Sequence, residues 1–153
     1  MADWKALAGT LGLADRITFA GARSDVPRWL AVLDVLVCPS LQESFGLVAV
    51  EAQMARVPVV ATRVDGFLET LHDGVDALLA PPGDVVALCV AIKTTLRSPD
   101  LAKRLVDAGW RNASTRFAIE RTAEAYAGLY RELLSSGERR AQPDCGSTMF
   151  CGR

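Results

Sequence analysis

Net charge is nearly absent from this sequence: 17 Lys and Arg face 18 Asp and Glu, leaving −1 at pH 7. Without a basic field, nothing steers or holds a phosphate backbone, so nucleic acid is excluded as a partner. Histidine is scarcer still, with His72 alone. The four cysteines make no framework: Cys38 and Cys89 lie in apolar runs, and Cys145 and Cys151 lie among Gly, Ser and Pro near the C-terminus. Neither the spacing nor the lone histidine fits a zinc site, so no metal is expected. No apolar run reaches the length that crosses a bilayer. The opening Met1-Ala-Asp-Trp-Lys5 has no signal-peptide core, so a cytoplasmic location is expected. Gly-x-Gly-x-x-Gly and Gly-x-x-x-x-Gly-Lys-[Ser/Thr] are also missing, which argues against a phosphate-binding domain of those classes.

What is present is a core. Half the residues (50%) are hydrophobic, enough for one globular domain. Short apolar runs recur at Ile17 to Ala20, Val35 to Cys38, Val57 to Ala61 and Ala77 to Ala80. Most are rich in β-branched residues and read as strands. Helical patterns lie between them, at 26–33, 46–56 and 66–72. Alternation of this kind predicts an α/β fold, a parallel sheet flanked by helices. From residue 84 the pattern is helical only. Asp84 caps a helix over 85–97, Ser98-Pro99-Asp100 starts another to about 114, and a third runs over 117–135. The domain is therefore read as 1–135, with 136–153 a loose tail after Gly137. Residues 2–12 look helical with no strand before them, so the chain reads as starting part-way through a doubly wound domain.

The most informative segment is Pro39 to Ala52. A strand-like run breaks at Pro39-Ser40, a polar loop follows, and a helix starts at a glycine. That helix is apolar except for Glu51, and a carboxylate among Leu47, Val48, Val50 and Met54 is expensive to bury alone. Glu43 stands just before it. The amides of Phe45, Gly46, Leu47 and Val48 open the helix and lack intrahelical acceptors, so they can bind phosphate oxygens. Gly46 would let a phosphate approach closely. Glu51, about a turn further on, can accept from two vicinal hydroxyls, and Glu43 can do the same for a sugar. In open parallel sheets such loops, at the carboxyl ends of strands, are where ligands bind.

These residues resemble the retaining glycosyltransferases of family 4, which have the GT-B fold. The family mark Glu-x7-Glu is Glu43-Ser-Phe-Gly-Leu-Val-Ala-Val-Glu51 here. Around it stand Ile17-Thr-Phe-Ala-Gly21, Asp34-Val-Leu-Val-Cys-Pro-Ser40, Pro58-Val-Val-Ala-Thr62, Gly66-Phe-Leu-Glu69 and Asp73-Gly-Val-Asp-Ala-Leu-Leu79, in the family's order. The resemblance covers about 5–135 and implies the donor-binding, C-terminal part of such an enzyme, with a Rossmann-like sheet and a nucleotide-diphosphate sugar as donor. It implies that Glu51 holds the donor ribose and that Glu43 acts at the donor sugar as the catalytic residue. The backbone from Phe45 through Gly46 and Leu47 to Val48 would serve sugar and diphosphate, and the turn at Ala22 and Arg23 would lie near the base. No cofactor is implied. The sequence departs from the pattern at Asp65, where the family has the first glycine of a pair. It also lacks the family's N-terminal acceptor-binding half, the first two strands of the donor domain and the Arg/Lys pair that clamps the diphosphate.

Two functions compete. One is the donor half of a glycosyltransferase. The other is a non-catalytic nucleotide-binding subunit that needs a separate acceptor-domain chain. In both, the strands near 35–38, 57–61 and 77–80 should pair in parallel in sequence order, and 17–20 should stay apart from 35–38. Glu69 reads as structural, His72 as solvent-facing, and Cys38 and Cys89 as small buried hydrophobes.

Overall fold

Three of the four apolar runs pair, and the fourth does not. The computed structural model describes residues 2–140. Its elements are α1 (Ala2–Thr10), a 3-10 turn (Ala14–Arg16), α2 (Val26–Leu30), β1 (Leu36–Cys38), α3 (Leu47–Met54), β2 (Val59–Thr62), α4 (Asp65–Thr70), β3 (Leu78–Ala80), α5 (Val85–Arg97), α6 (Pro99–Arg116) and α7 (Ile119–Arg140). The strands form one parallel sheet in the order β1-β2-β3. Leu36 stands opposite Val59, and Val60 opposite Leu78.

The central strand is buried throughout, as a parallel strand covered on both faces must be. Val59 and Ala61 join a core with Leu30, Ala49, Ala52, Phe67, Leu71 and Leu79. α3 packs on β1, β2 and α6, while α5 packs on β2, β3 and α6. The start of α5 matches the sequence reading: Asp84 accepts a hydrogen bond from the Ala87 amide at 2.9 Å. Ser98 caps α6 in the same way, accepting from Leu101 N at 3.4 Å.

Four expectations need correction. Residues 17–20 form no strand. β-branching makes a strand only where another backbone lies alongside to take its hydrogen bonds, and none of the described residues does. Ile17 and Phe19 instead meet Trp4 and Leu7 of α1, and Leu11 just after it, around a small apolar cavity. The segment does stay apart from β1, as expected. The helix expected over 26–33 stops at Leu30, and turn bonds from Val32 N to Trp29 O and from Leu33 N to Leu30 O finish it. Cys89 is exposed, because α5 turns its other side to the sheet. Lastly, α7 continues through Gly137 to Arg140. A single glycine lowers helix propensity by about 1 kcal/mol and need not end a helix of this length. Cys145, Cys151 and the remainder of the expected tail lie outside the described residues.

The α3–α6 contact contains a polar knot. Gln53, 1% exposed, donates to the Asp76 carbonyl at 3.3 Å and accepts from Asn112 Nδ2 at 3.1 Å. Asn112 Nδ2 also donates to the Thr70 carbonyl at 2.8 Å. Gly109 makes room, since a Cβ there would stand 2.9 Å from Gln53 Cγ. Beside it, Arg56 ends α3 in the left-handed region (φ 59), stacks on Trp110 at 4.6 Å and pairs with Asp107 at 3.5 Å. Gln53→Leu removes the donor to Asp76 and one acceptor of Asn112, so it is expected to destabilise by about 1–3 kcal/mol. Urea unfolding of Gln53→Leu, Asn112→Leu and the double variant checks this. The double loss should be smaller than the sum of the singles, and strict additivity would contradict a shared knot.

Candidate nucleotide-sugar site

The candidate residues gather at the carboxyl ends of β1 and β2. Thr62 closes β2, and its hydroxyl donates to the Ser40 carbonyl at 2.5 Å, fastening the two strand exits together. The loop after β1 is then pinned by α4. The Gly66 amide donates to the Glu43 carbonyl at 3.1 Å, and the Thr70 hydroxyl donates to the Phe45 carbonyl at 3.3 Å. Gly66 fits because it has no side chain: a Cβ there would lie 2.5 Å from Glu43 O and 2.6 Å from Phe45 N. The replacement at Asp65 leaves this turn intact, since the close packing falls on Gly66.

Gly46 caps α3 at φ 85, a backbone conformation that favours glycine. A Cβ there would also stand 2.5 Å from the Phe67 ring. The glycine is thus demanded by the turn and by Phe67, a packing reason that sequence reasoning missed in favour of phosphate approach. Phe67 is fully buried, so it cannot yield cheaply.

The two acidic candidates face different spaces. Glu43 is half-buried and lines a polar cavity of about 610 Å³ with Leu41, Gln42, Ser44, Arg63 and Asp65. Its Oε1 accepts from the Ser44 amide at 3.1 Å and, at a long 3.5 Å, from the Phe45 amide. Glu51 is exposed, not buried. α3 sends Ala49, Val50, Ala52 and Gln53 inward, which leaves Leu47, Val48 and Met54 on the open side with it. An apolar helix sequence does not distinguish a side facing the core from a side facing a cavity. Glu51 lines a second cavity, of about 600 Å³, whose other walls are apolar and include Val26, Leu30, Leu47, Met54 and Phe117.

Along the chain, the start of α3 lies between the two linings, after Ser44 and at Leu47. Among the described residues, the amides of Gly46, Leu47 and Val48 meet no acceptor. The arrangement offers a polar pocket with a carboxylate, a set of free amides, and an apolar pocket with a carboxylate. Chemically this suits an elongated ligand with polyhydroxyl, anionic and flat apolar parts in that order.

Other charges are partly committed. Arg63 pairs with Asp73 while lining the Glu43 cavity. Nothing in the local sequence marks Arg63 for the site, and only the tertiary path of the residues after β2 brings it in. Arg23 is engaged with Asp25 at 2.8 Å and stacks on Trp29 at 5.4 Å. Cys38 ends β1 below the loop. Burial, and secondarily the charge of Glu43, push its thiol up to about 11, so it is a neutral core residue and no nucleophile. His72 is half exposed, but its Nδ1 lies 2.7 Å from the carboxylate of the buried Asp76. No group of three or more His, Cys, Asp or Glu that could hold a metal occurs among the described residues. No described helix is long and apolar enough to cross a membrane.

Comparison with known proteins identifies the family. The model for "Glycosyl transferases group 1" matches residues 1–98. The chain belongs to this family. This group 1 chain is 38% identical over 144 residues to D-inositol 3-phosphate glycosyltransferase of Mycobacterium marinum, covering 90% of the chain and 31% of that protein. It is 38% identical over 126 residues to the lipopolysaccharide core biosynthesis mannosyltransferase LpsB of Rhizobium meliloti, covering 80% of the chain and 36% of that protein. Sucrose-phosphate synthase from Thermosynechococcus elongatus superposes with a TM-score of 0.81 at 34% identity, over 87% of this chain and 34% of that one. Anabaena HepE in complex with UDP gives 0.80 at 31%, over 88% and 36%. The chain thus spans about a third of the length of the relatives it matches.

Gly66→Ala tests the loop anchorage. The added methyl meets backbone, which has no rotamer to give, so a loss of about 1–3 kcal/mol is expected. Amide resonances of Ser44 and Phe45 should move with it. A variant with parental stability and unmoved resonances would show that the close approach at Gly66 does not set the loop.

Proposed function

We propose that this chain is the donor-binding part of a retaining, family 4 glycosyltransferase. It acts in the cytoplasm and takes part in hexosyl transfer from a nucleotide-diphosphate sugar to an acceptor hydroxyl. The observation that carries this reading is the start of α3, with the free amides of Gly46, Leu47 and Val48 set, along the chain, between the linings of the Glu43 cavity and the Glu51 cavity. The likeness to HepE, whose structures include complexes with UDP and with UDP-glucose, supports it.

In this reading the diphosphate lies on the α3 amides, where the helix dipole favours negative charge. The Phe45 amide joins them once it leaves the Glu43 carboxylate. Glu51 accepts hydrogen bonds from the two ribose hydroxyls, and the base occupies the apolar walls around Leu30 and Leu47. Glu43 contacts the hydroxyls of the transferred sugar. In the reaction, the bond from the anomeric carbon to the diphosphate breaks and a bond to the acceptor oxygen forms, with configuration kept. The acceptor would be held by a second half outside these 153 residues, on the same chain or on a partner.

Calorimetry with UDP, GDP and ADP tests the binding role. Glu51→Gln should weaken the preferred nucleotide by about 1.5–3 kcal/mol, tenfold or more, while unfolding stays near parental. Equal affinity in parent and variant would remove Glu51 from the site. No saturable binding of any of the three would remove the reading itself.

The charges of the Glu43 cavity favour binding without turnover by this chain alone. Its one cation among the described lining residues, Arg63, is already paired with Asp73. Charge that builds on the leaving diphosphate therefore lacks a free cation, and such stabilisation is usually the largest catalytic contribution. The 153-residue chain is expected to show no glycosyl transfer above a Glu43→Ala control. Measured transfer above that control would contradict this.

A further inference from the structure

A third cavity, of about 500 Å³, opens at the turn between α6 and α7. Its walls are Arg116, Phe117, Arg121, Thr122, Ala125 and Tyr126. The last four repeat at three- and four-residue intervals, so one side of the first two turns of α7 faces back onto the end of α6. Two guanidinium groups and two hydroxyls therefore line one space.

Among the described residues, neither arginine has an anionic partner. Arg116 donates to the Glu69 carbonyl at 2.8 Å and to Asn112 Oδ1 at 3.1 Å, and it lies 5.0 Å from the centre of the Phe117 ring. Arg121 donates to the Thr115 carbonyl at 2.9 Å. All of these oxygens are neutral. The ion pairs among the described residues are Arg23–Asp25, Arg56–Asp107, Arg63–Asp73 and His72–Asp76, and include neither arginine. Glu120 and Glu124 are on α7 but do not line the cavity. The hydroxyls of Thr122 and Tyr126 have no protein partner among the described residues. The cavity sits where the C-terminus of α6 meets the N-terminus of α7, so the two helix dipoles oppose there and the positive potential comes from the two guanidinium groups. Carbonyl bonds hold the two guanidinium groups in place without neutralising them.

We propose that this cavity is a second anion site, which takes a phosphoryl dianion either free or as a monoester. Two fixed guanidinium groups match the charge and the several oxygens of a phosphoryl group, whereas a carboxylate would occupy only one of them fully. The site is separate from the α3 amides. Phe117 is the wall between it and the Glu51 cavity, and its ring meets Phe45 edge-on at 5.7 Å. The inference does not depend on the donor reading.

Titration of the 153-residue chain with inorganic phosphate, glucose 6-phosphate and glucose, followed by calorimetry at constant ionic strength, tests it. Saturable binding of phosphate, of glucose 6-phosphate or of both is expected, with none for glucose. The tighter of the two phosphates tells a free ion from an ester. Arg121→Gln should weaken the phosphate affinity at least tenfold, with unchanged melting and unchanged UDP affinity. Tyr126→Phe should weaken it about threefold. Arg121 is exposed and holds only the Thr115 carbonyl, so its variant is expected to fold. Equal phosphate affinity in parent and Arg121→Gln, or no saturable phosphate binding by the parent, would overturn the proposal. If the chain fails to bind UDP, the Arg121 comparison still decides this site.

Discussion

At Gly66 two backbones come into contact. The first turn of α4 presses on the chain from Glu43 to Phe45 so closely that no side chain fits between them. One residue on, Phe67 fills the space that a Cβ of Gly46 would take. Residues after β2 thereby fix both ends of the loop after β1. This sets the direction in which α3 begins, and hence where its free amides point. Helix termini are common, but one held from below by a fully buried ring and from the side by a second backbone is preorganised. An anion bound there as proposed would not first have to order a loop, which would otherwise cost about 1–2 kcal/mol per residue fixed.

The polar knot extends this hold to the rest of the domain. Thr70 reaches Phe45 through its hydroxyl, and its own carbonyl receives Asn112 from α6. Asn112 meets Gln53 on α3, and Gln53 reaches the Asp76 carbonyl before β3. The site loop, both helices packed against it and the approach to β3 thus share one hydrogen-bonded set in a buried setting, where an unmade bond is expensive.

Much of this was legible in the sequence, for physical reasons. β1, β2 and β3 are short apolar runs that pair with their neighbours in chain order, and Asp84 and Ser98 act through their own next turn. Local chemistry decides such features. The failures all depend on distant residues. Ile17 to Ala20 has the composition of a strand but no neighbouring edge. Cys89 and Glu51 were misjudged because an apolar helix gives no sign of which side the sheet will cover. Gln53 drew no notice, since its partners Asp76 and Asn112 are remote in sequence. Arg63, Arg116 and Phe117 enter cavities only through tertiary packing. The Glu43–Glu51 spacing marks the site loop, yet it does not show that the two carboxylates open onto different spaces.

That division bears on what such a site can select. A ligand laid across the start of α3 as proposed would meet chemically opposite surroundings at its two ends. On the Glu51 side, apolar walls take a flat group by area, with weak discrimination among groups of similar size. On the Glu43 side, the walls include two carboxylates, an amide side chain, a hydroxyl and one paired guanidinium beside Leu41 and Val64. A hydroxyl missing or misplaced there leaves a polar group unmatched, and such mismatches discriminate far more sharply than lost apolar contact. Affinity would then come mainly from the helix start and the apolar pocket, and choice of sugar mainly from Glu43, Gln42, Arg63 and Asp65. Asp65 stands where the related pattern has glycine, so it adds a carboxylate to the wall that does the choosing. Bound as proposed, a donor would meet the loop geometry that Gly66 and Gly46 enforce and, at Asp65, a further carboxylate that bears on which sugar fits.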